Sequence, residues 1–470
     1  MGQHTVEKIG GTSMSKFDLV MRNVIIGDRS GADLYNRIFV VSAYGGITNL
    51  LLEHKKTGEP GVYQSFAESD KHWIDKLEDV RTEMCRINAG FADSGLDVTA
   101  ANDFVRERID GVRACLKDLR KLCSYGHFQL ETHLPVVREL LSSIGEAHSA
   151  RNSAHILQAN GVNARFVDLS GWMSDDNLPF TEKIRTSFED IDYDTELPIV
   201  TGYTKCDEGL MTTFDRGYSE ITFSEIAVVT EAREGIIHKE YHLSSGDPLL
   251  VGVDKVRTIG HTNYDVADQL ADLGMEAIHP RAAKGMERKH IPLRIKNAFE
   301  PDHPGTLITQ NTYKSPNPRV EMITGCKNIL AIEVWDPDMV GQSGYDHTLT
   351  SFLTNNRISY IAKNTNANTI THYVPDGRGN LDGCLNDLRS YYPGAEVRTQ
   401  KVAIVSAIGS NMKVPGFLAK AANALAAADI NILACDQCMR QVNMQFIINE
   451  SQFEAAVKAL HNGLIEQESQ

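Results

Sequence analysis

Several things are scarce in this sequence. No apolar run approaches the eighteen or so residues that a membrane span requires. No leader pattern opens the chain, because Met1–Ile9 runs straight into a strand pattern. Positive charge is in deficit: 47 Lys and Arg face 62 Asp and Glu across 470 residues, a formal net charge of −15. That balance disfavours a nucleic-acid partner, which would need a basic footprint. Cysteine is sparse, with 8 scattered residues and hence no disulfide framework. Cys435 and Cys438 form a lone C-x-x-C without a second pair or a histidine cluster at zinc spacing, and are read as small residues in or beside a strand. What is present, 42% apolar and 23% charged residues, is ordinary for a globular protein. The expectation is a cytoplasmic, acidic chain of roughly three domains.

The first part alternates β-branched runs with helical stretches, the pattern of a mainly parallel α/β sheet sandwiched by helices. Strands are expected at Arg37–Ser42, Ala164–Leu169, Leu197–Thr201 and Glu225–Val229. A polar helical region fills about 63–160, and its last helix, Leu134–Ala159, carries Val137, Leu140, Leu141 and Ile144 at helical spacing. Breaker signals in Glu300–Gly305 and Lys314–Pro318 mark a domain boundary. Beyond it the pattern repeats. The first copy reads as strand Ile329–Trp335, helix Asp346–Asn356, then strands Ile358–Asn364 and Thr369–Val374. The second reads as Val402–Ile408, Phe417–Ala428, Ile430–Cys435 and Val442–Ile448. The strand after the helix starts 29 residues from the first strand in one copy (358 − 329) and 28 in the other (430 − 402). Two small ferredoxin-like βαββαβ modules are expected, giving domains 1–300, 301–400 and 401–470.

Three segments carry chemistry. Lys8-Ile9-Gly10-Gly11-Thr12-Ser13 is a strand end followed by glycines that let backbone N–H groups converge on an anion, with a cation beside them. It has neither the Walker A nor the dinucleotide-binding spacing. Val40–Asn49 repeats that logic with Ser42, Gly45, Gly46 and Thr48. Two such loops after neighbouring parallel strands face one crevice at the carboxyl ends of the sheet, and together they read as a phosphate-handling site or as one functional and one packing loop. In Thr212–Glu220, Arg216 beside Gly217 and Ser219 suits a carboxylate clamp, although by itself a surface ion pair with Asp215 or Glu220 is the better reading. Glu146, after Gly145, reads by itself as a solvated carboxylate.

Taken in order, these segments resemble the aspartokinases, a family on the amino-acid kinase fold with C-terminal ACT domains. Lys8–Met14 is similar to the opening K-F-G-G-T-S-M, Val40–Asn49 to V-V-S-A-x-x-G-[IV]-T-[ND], Ser143–Glu146 to [SH]-x-G-E and Thr212–Glu220 to T-x-G-R-G-G-S-D. Tyr264–Pro280 and Arg294–Ile308 resemble two later family segments. The resemblance implies ATP-dependent phosphorylation of the β-carboxylate of L-aspartate to 4-phospho-L-aspartate, with Mg²⁺ carried on ATP. It implies that Lys8 is catalytic, that Lys8, Gly10, Gly11, Thr12, Ser13, Ser42, Thr230 and Glu231 hold ATP, and that Thr48, Glu146, Arg216, Gly217 and Ser219 hold aspartate. It also implies a homo-oligomer, a dimer through the ACT modules, and an amino-acid effector around Asp346–Thr348, Asn364–Ala367, Ser410–Val414 and Ile430–Cys435.

Some positions depart from the family pattern. Asp215, Tyr218 and Glu220 stand where Gly, Gly and Asp are usual, and Glu276 where an ATP-contacting lysine is usual. The stretch Thr230–Pro248, matched to the base-gripping segment, also differs. The departures resemble the aspartokinase branch associated with ectoine biosynthesis. Two other readings fit the same fold: a regulatory protein without ATP turnover, and a sister kinase acting on glutamate.

Overall fold

The computed structural model describes residues 2–55, 57–214, 217–273, 278–377 and 379–467. The chain divides into two compact units. One comprises Met1–His242 with Ile278–Thr309, the other Leu243–Ala277 with Gln310–Gln470. The expected division at 300 and 400 therefore differs from the observed one: the insertion 243–277 belongs with the C-terminal part.

The first unit is built on strands β1 (Thr5–Ile9), β2 (Arg37–Val41), β3 (Ala164–Val167), β4 (Leu197–Thr201) and β5 (Glu234–Lys239). They lie in the order β3-β4-β2-β1-β5, all parallel, and continue into the parallel strand Leu293–Asn297 and the antiparallel Thr306–Thr309. Every residue of β2 and β4 is buried, as expected where helices cover a parallel sheet. The helix expected near Leu134–Ala159 lies there and packs on β3 and β4, and its second half is buried nearly all round.

Glu225–Val229, expected as a strand, is the end of a helix, Tyr218–Val229. Its β-branched residues look strand-like because the helix is buried on most of its surface, Tyr218 through Ser224 together with Ile226 and Ala227, so no polar face marks the 3.6 period. The strand that follows it is β5.

In the second unit the modules are interleaved. Two long strands, Met322–Trp335 and Glu396–Ile408, pair antiparallel along their whole length, from Glu396 opposite Trp335 to Ile408 opposite Met322, with a register shift between Val402 and Ile404. The outer half of the first, Ile329–Trp335, also pairs with Thr369–Pro375, and the outer half of the second, Val402–Ile408, with Asn443–Asn449. Each module thus completes its four-stranded sheet with half of the other's long strand. The fourth strand of the second module, Met322–Asn328, precedes the first module in sequence. The expected boundary at 400 falls inside a continuous strand.

Each module buries two helices on its sheet: Tyr345–Asn355 and Leu381–Tyr391 with Ile332, Val334 and Ile370, and Phe417–Ala427 and Phe453–His461 with Ile323, Val405 and Phe446. The expected strands Ile358–Asn364 and Ile430–Cys435 shrink to Ala362–Thr365 and Ala434–Asp436. Cys435 and Cys438 are exposed, with no disulfide. No helix among the described residues is long and apolar enough to cross a membrane.

Candidate active site

All the parallel strands of the first unit end at one edge, which collects both glycine loops. Gly10 follows β1, Ser42 follows β2 and Gly202 follows β4, and the ladder is continued by Ser42 N–H donating to the Ile9 carbonyl at 3.1 Å and Gly202 N–H to the Val41 carbonyl at 3.0 Å. The two loops touch. A Cβ at Gly11 would lie 2.7 Å from the Ala43 carbonyl, and Gly45 N–H donates to Ser15 Oγ at 3.0 Å. Gly10, Gly11, Thr12, Ser13, Ser42 and Thr48 therefore share the crevice that the strand order dictates. Thr12 is exposed there, while Ser13 is buried and donates to Glu240 Oε1 at 3.1 Å.

The long helix brings Glu146 beneath the second loop. Gly145 makes this possible, since a Cβ there would meet Ala43 Cβ at 2.9 Å and Ile47 Cγ2 at 3.1 Å. Ser149 Oγ, one turn on, donates to the Ser42 carbonyl at 2.8 Å. Glu146 is 1% exposed. Its Oε1 accepts from Ser219 Oγ at 2.6 Å, and Ser219 Oγ lies 3.4 Å from Ser42 Oγ. Its Oε2 is buried without a hydrogen-bond partner. Burial pushes the carboxyl up to about 8, against the pull of Ser219, Lys8 and the Ala43 and Tyr203 amides. Such a group favours the neutral acid until a cation comes to hold its charged form. The sequence reading of Glu146 as a solvated side chain is corrected by this burial.

Lys8 reaches the same edge, and its Nζ lies 3.3 Å from Glu220 Oε1, with side chains 12% and 11% exposed. Glu220 Oε2 accepts the His279 N–H at 2.5 Å. Burial would raise the Glu220 carboxyl, but Lys8, Lys239 and the His279 amide hold it below the usual range. Gly217 abuts His279, for a Cβ there would fall 2.3 Å from its ring. Lys8, Glu146, Gly217, Ser219 and Glu220 thus form one constellation at the sheet's carboxyl edge.

Two expected ATP contacts do not join it. Thr230 and Glu231 lie at the opposite edge, where Thr230 Oγ1 bonds His4 Nε2 at 2.8 Å and Gly2 N–H donates to the Glu231 carbonyl at 2.7 Å. His4 precedes β1, whose five residues separate the two edges by about 16 Å. The carboxyl end of β5 is instead Lys239, followed by Glu240, so the earlier match was displaced by taking the helix end for a strand. Asp215, Arg216 and Glu276 lie outside the described residues.

Sequence reasoning missed Gly202, Glu240 and Glu139. A Cβ at Gly202 would come within 2.9 Å of Glu146 Oε2 and of Ser219 Cβ, so only a glycine leaves the carboxylate its place. Glu139 lies seven residues before Glu146 (146 − 139), on the same helix face. It accepts from Tyr203 OH at 2.8 Å, Met211 N–H at 3.0 Å, Thr212 N–H at 2.8 Å and Thr212 Oγ1 at 3.1 Å, fixing the loop and short helix that lead to Gly217. The i, i+7 spacing of two glutamates on a helix with a buried face was the signal available.

The amino acid kinase family model matches residues 3–297, and an ACT domain model matches 405–464. Aspartate kinase Ask_Ect of Stutzerimonas stutzeri (strain A1501) is 57% identical over 468 residues, 99% of this chain and 98% of that one. Chloroplastic aspartokinase 1 of Arabidopsis thaliana is 26% identical over 70% of this chain and 61% of its own. Among solved structures, E. coli aspartokinase III in complex with aspartate and ADP has the same fold, with a TM-score of 0.72 at 20% identity, covering 98% of this chain and 100% of that one.

Proposed function

The chain belongs to the amino acid kinase family and, within it, to the aspartokinases, and from that premise we propose that it transfers the γ-phosphoryl group of ATP to the β-carboxylate of L-aspartate, in the ectoine branch. The observation that carries this reading is the buried, half-satisfied Glu146 carboxylate at the edge where Lys8 and two glycine loops converge.

Aspartate's carboxylate is already a nucleophile at neutral pH, so the protein's task is positioning and charge stabilisation. Glu146 takes the substrate ammonium on Oε2, with Ser219 and Thr48 fixing its oxygens and Arg216 its α-carboxylate. Lys8 leaves Glu220 for the transferring phosphoryl group, whose developing charge it offsets. Glu220 holds that lysine ready without burying it unpaired. The amides of Gly10 and Gly11 and the hydroxyls of Thr12, Ser13 and Ser42 cradle the phosphates. The Glu240 carboxylate and Ser13 hydroxyl would be the hard oxygen donors for a Mg²⁺ carried on the nucleotide, which would supply neutralisation of phosphate charge.

An amino-acid effector at the ACT modules is part of this proposal. Two of the expected segments meet, since Asn364 Nδ2 donates to the Cys435 carbonyl at 3.3 Å. Self-association through these modules completes it.

Aspartyl-hydroxamate formation with ATP and Mg²⁺ tests the function. Product is expected from the wild-type chain, with turnover lower by about 10²–10³ in Lys8→Ala. Equal product from both, or from glutamate in place of aspartate, would overturn it.

A further inference from the structure

Part of one face of the first unit's sheet is polar where a helix-covered sheet should be apolar. Parallel pairing sets Thr5 beside Arg37 and Glu234, and His238 beside Lys296. With side chains alternating at period two, these residues and Glu7 share one side, and Lys8 lies on the other. On that side sits a cavity of about 440 Å³, lined by these groups together with Arg29, Asp33 and Arg233.

The acids of the cavity are mostly engaged. Glu7 accepts from Arg37 Nε at 2.7 Å and Nη2 at 3.1 Å, from His238 Nε2 at 2.7 Å and from Thr5 Oγ1 at 2.9 Å. Burial would raise its carboxyl, but Arg37 and His238 hold it far below the usual range. Glu234 is taken by Arg294 at 2.8 Å. The cations are not engaged to the same degree. Among the described residues no ion-pair contact joins Arg29 or Arg233 to a carboxylate, and Lys296 Nζ bonds only the Pro301 carbonyl, at 3.0 Å. Burial lowers the Arg29 guanidinium, as does Arg37, while the Glu7, Asp33 and Asp28 carboxylates oppose. Burial also lowers the Lys296 amine, as do Arg29 and Arg294, while Glu7 and Glu234 oppose. Like charges therefore converge here, in a chain whose net charge is −15. At the floor, His238 is 4% exposed and its Nδ1 has no partner. Because Nε2 faces the Glu7 carboxylate and donates to it, Nδ1 of the neutral ring is an acceptor.

We propose that this cavity is a second anion site, separate from the phosphoryl-transfer edge, for a small molecule that joins carboxylate or phosphate groups to a hydroxyl. Arg29, Arg233 and Lys296 bind the anionic groups, and His238 Nδ1 accepts from the hydroxyl. Cations that lack a carboxylate contact gain most from bidentate or multivalent oxyanions, and the acceptor at the floor selects among them. Hydrogen phosphate and malate both carry the required O–H at pH 7.5, whereas sulfate and succinate do not.

Isothermal titration of the full-length chain with these four probes, in the presence of saturating ATP analogue and aspartate, tests the proposal. Hydrogen phosphate or malate is expected to bind at one equivalent, at least tenfold more tightly than sulfate or succinate. Binding of phosphate alone assigns a phosphate ligand, and of malate alone a hydroxy-carboxylate. Affinity should fall at least tenfold in Arg29→Gln and in Lys296→Gln, with aspartyl-hydroxamate turnover unchanged. Arg233→Gln, at an exposed position, supplies the same reading should either variant fail to fold. No binding of any probe, equal affinity in the variants, or sulfate binding as tightly as phosphate would each overturn the assignment.

Discussion

At Glu146 a single proton links binding to pH. The folded chain raises this carboxyl from an ordinary 4.5 to about 8, so it favours the neutral acid. The corresponding stability is fully present below 4.5 and is lost as pH rises through about 8. The substrate ammonium needs the carboxylate, so aspartate must displace the proton near neutrality. The KM for aspartate is expected to fall as pH rises from 6 to 8, by up to about tenfold per unit. Calorimetry in buffers of different ionisation enthalpy should show about one proton released at pH 7. Glu146→Gln should bind weakly and lose both effects, and a buffer-independent enthalpy in the wild type would contradict this role. Gly202→Ala should raise the same KM, because its Cβ would meet Glu146 Oε2 at 2.9 Å, and should cost about 1–3 kcal/mol of stability from overpacking, read by denaturant unfolding. Glu146 was legible as a motif position. Its burial was not, because that is imposed by the Ala43 and Gly202 backbones, which lie about 100 and 56 residues away in sequence (146 − 43, 202 − 146).

At the scale of elements, Glu139 organises the approach to the substrate loop by gathering four donors from the segment 203–212. Glu139→Ala is expected to cost about 1–3 kcal/mol, since the Thr212 donors can turn to water but the Tyr203 hydroxyl and Met211 N–H belong to buried residues and lose their acceptor. It should raise the KM for aspartate several-fold with a smaller change in kcat, and Glu139→Gln, which keeps an acceptor, should recover part of the loss. Steady-state kinetics of the two variants decides between this and a purely structural role, which would leave KM unmoved. The same scale explains the sequence reading's one inverted element. Helix Tyr218–Val229 ends in Ile226-Ala227-Val228-Val229, and burial on most sides erases the polar stripe that separates helix from strand. Mistaking it shifted the nucleotide segment from the end of β5 to Thr230 and Glu231. By contrast, Leu197–Thr201 was read to the residue from a short buried run, and the helix expected near Leu134–Ala159 lies there.

At the scale of the molecule, duplication was visible in the spacing of strands and helices, whereas interleaving was not, because pairing between residues 322–335 and 396–408 leaves no local periodicity. A chain stopped at 400, the boundary that the repeat suggests, would strip Met322 and Ile323, both 0% exposed, of their strand partner. It is expected to aggregate. Removing Leu330–Lys401 instead, and closing Ile329 to Val402 with a two-residue Asn-Gly turn, should leave a folded second module, because those two residues already face each other across the strands. Circular dichroism melting and gel filtration of the two deletions check the contrast, and equal behaviour would show that the modules are not interdependent.

Interleaving also sets a timetable for the nascent chain. The segment Met322–Asn328 leaves the ribosome first, yet its partner Ile404–Ile408 follows about 80 residues later (405 − 325). At 5–20 residues per second this is a wait of roughly 4–16 s. During that interval a strand that buries Met322 and Ile323 in the finished sheet stays unpaired while the whole first module is made. Synthesis speed over codons 330–400, rather than any bond in the finished sheet, then decides how long the chain is open to a wrong partner.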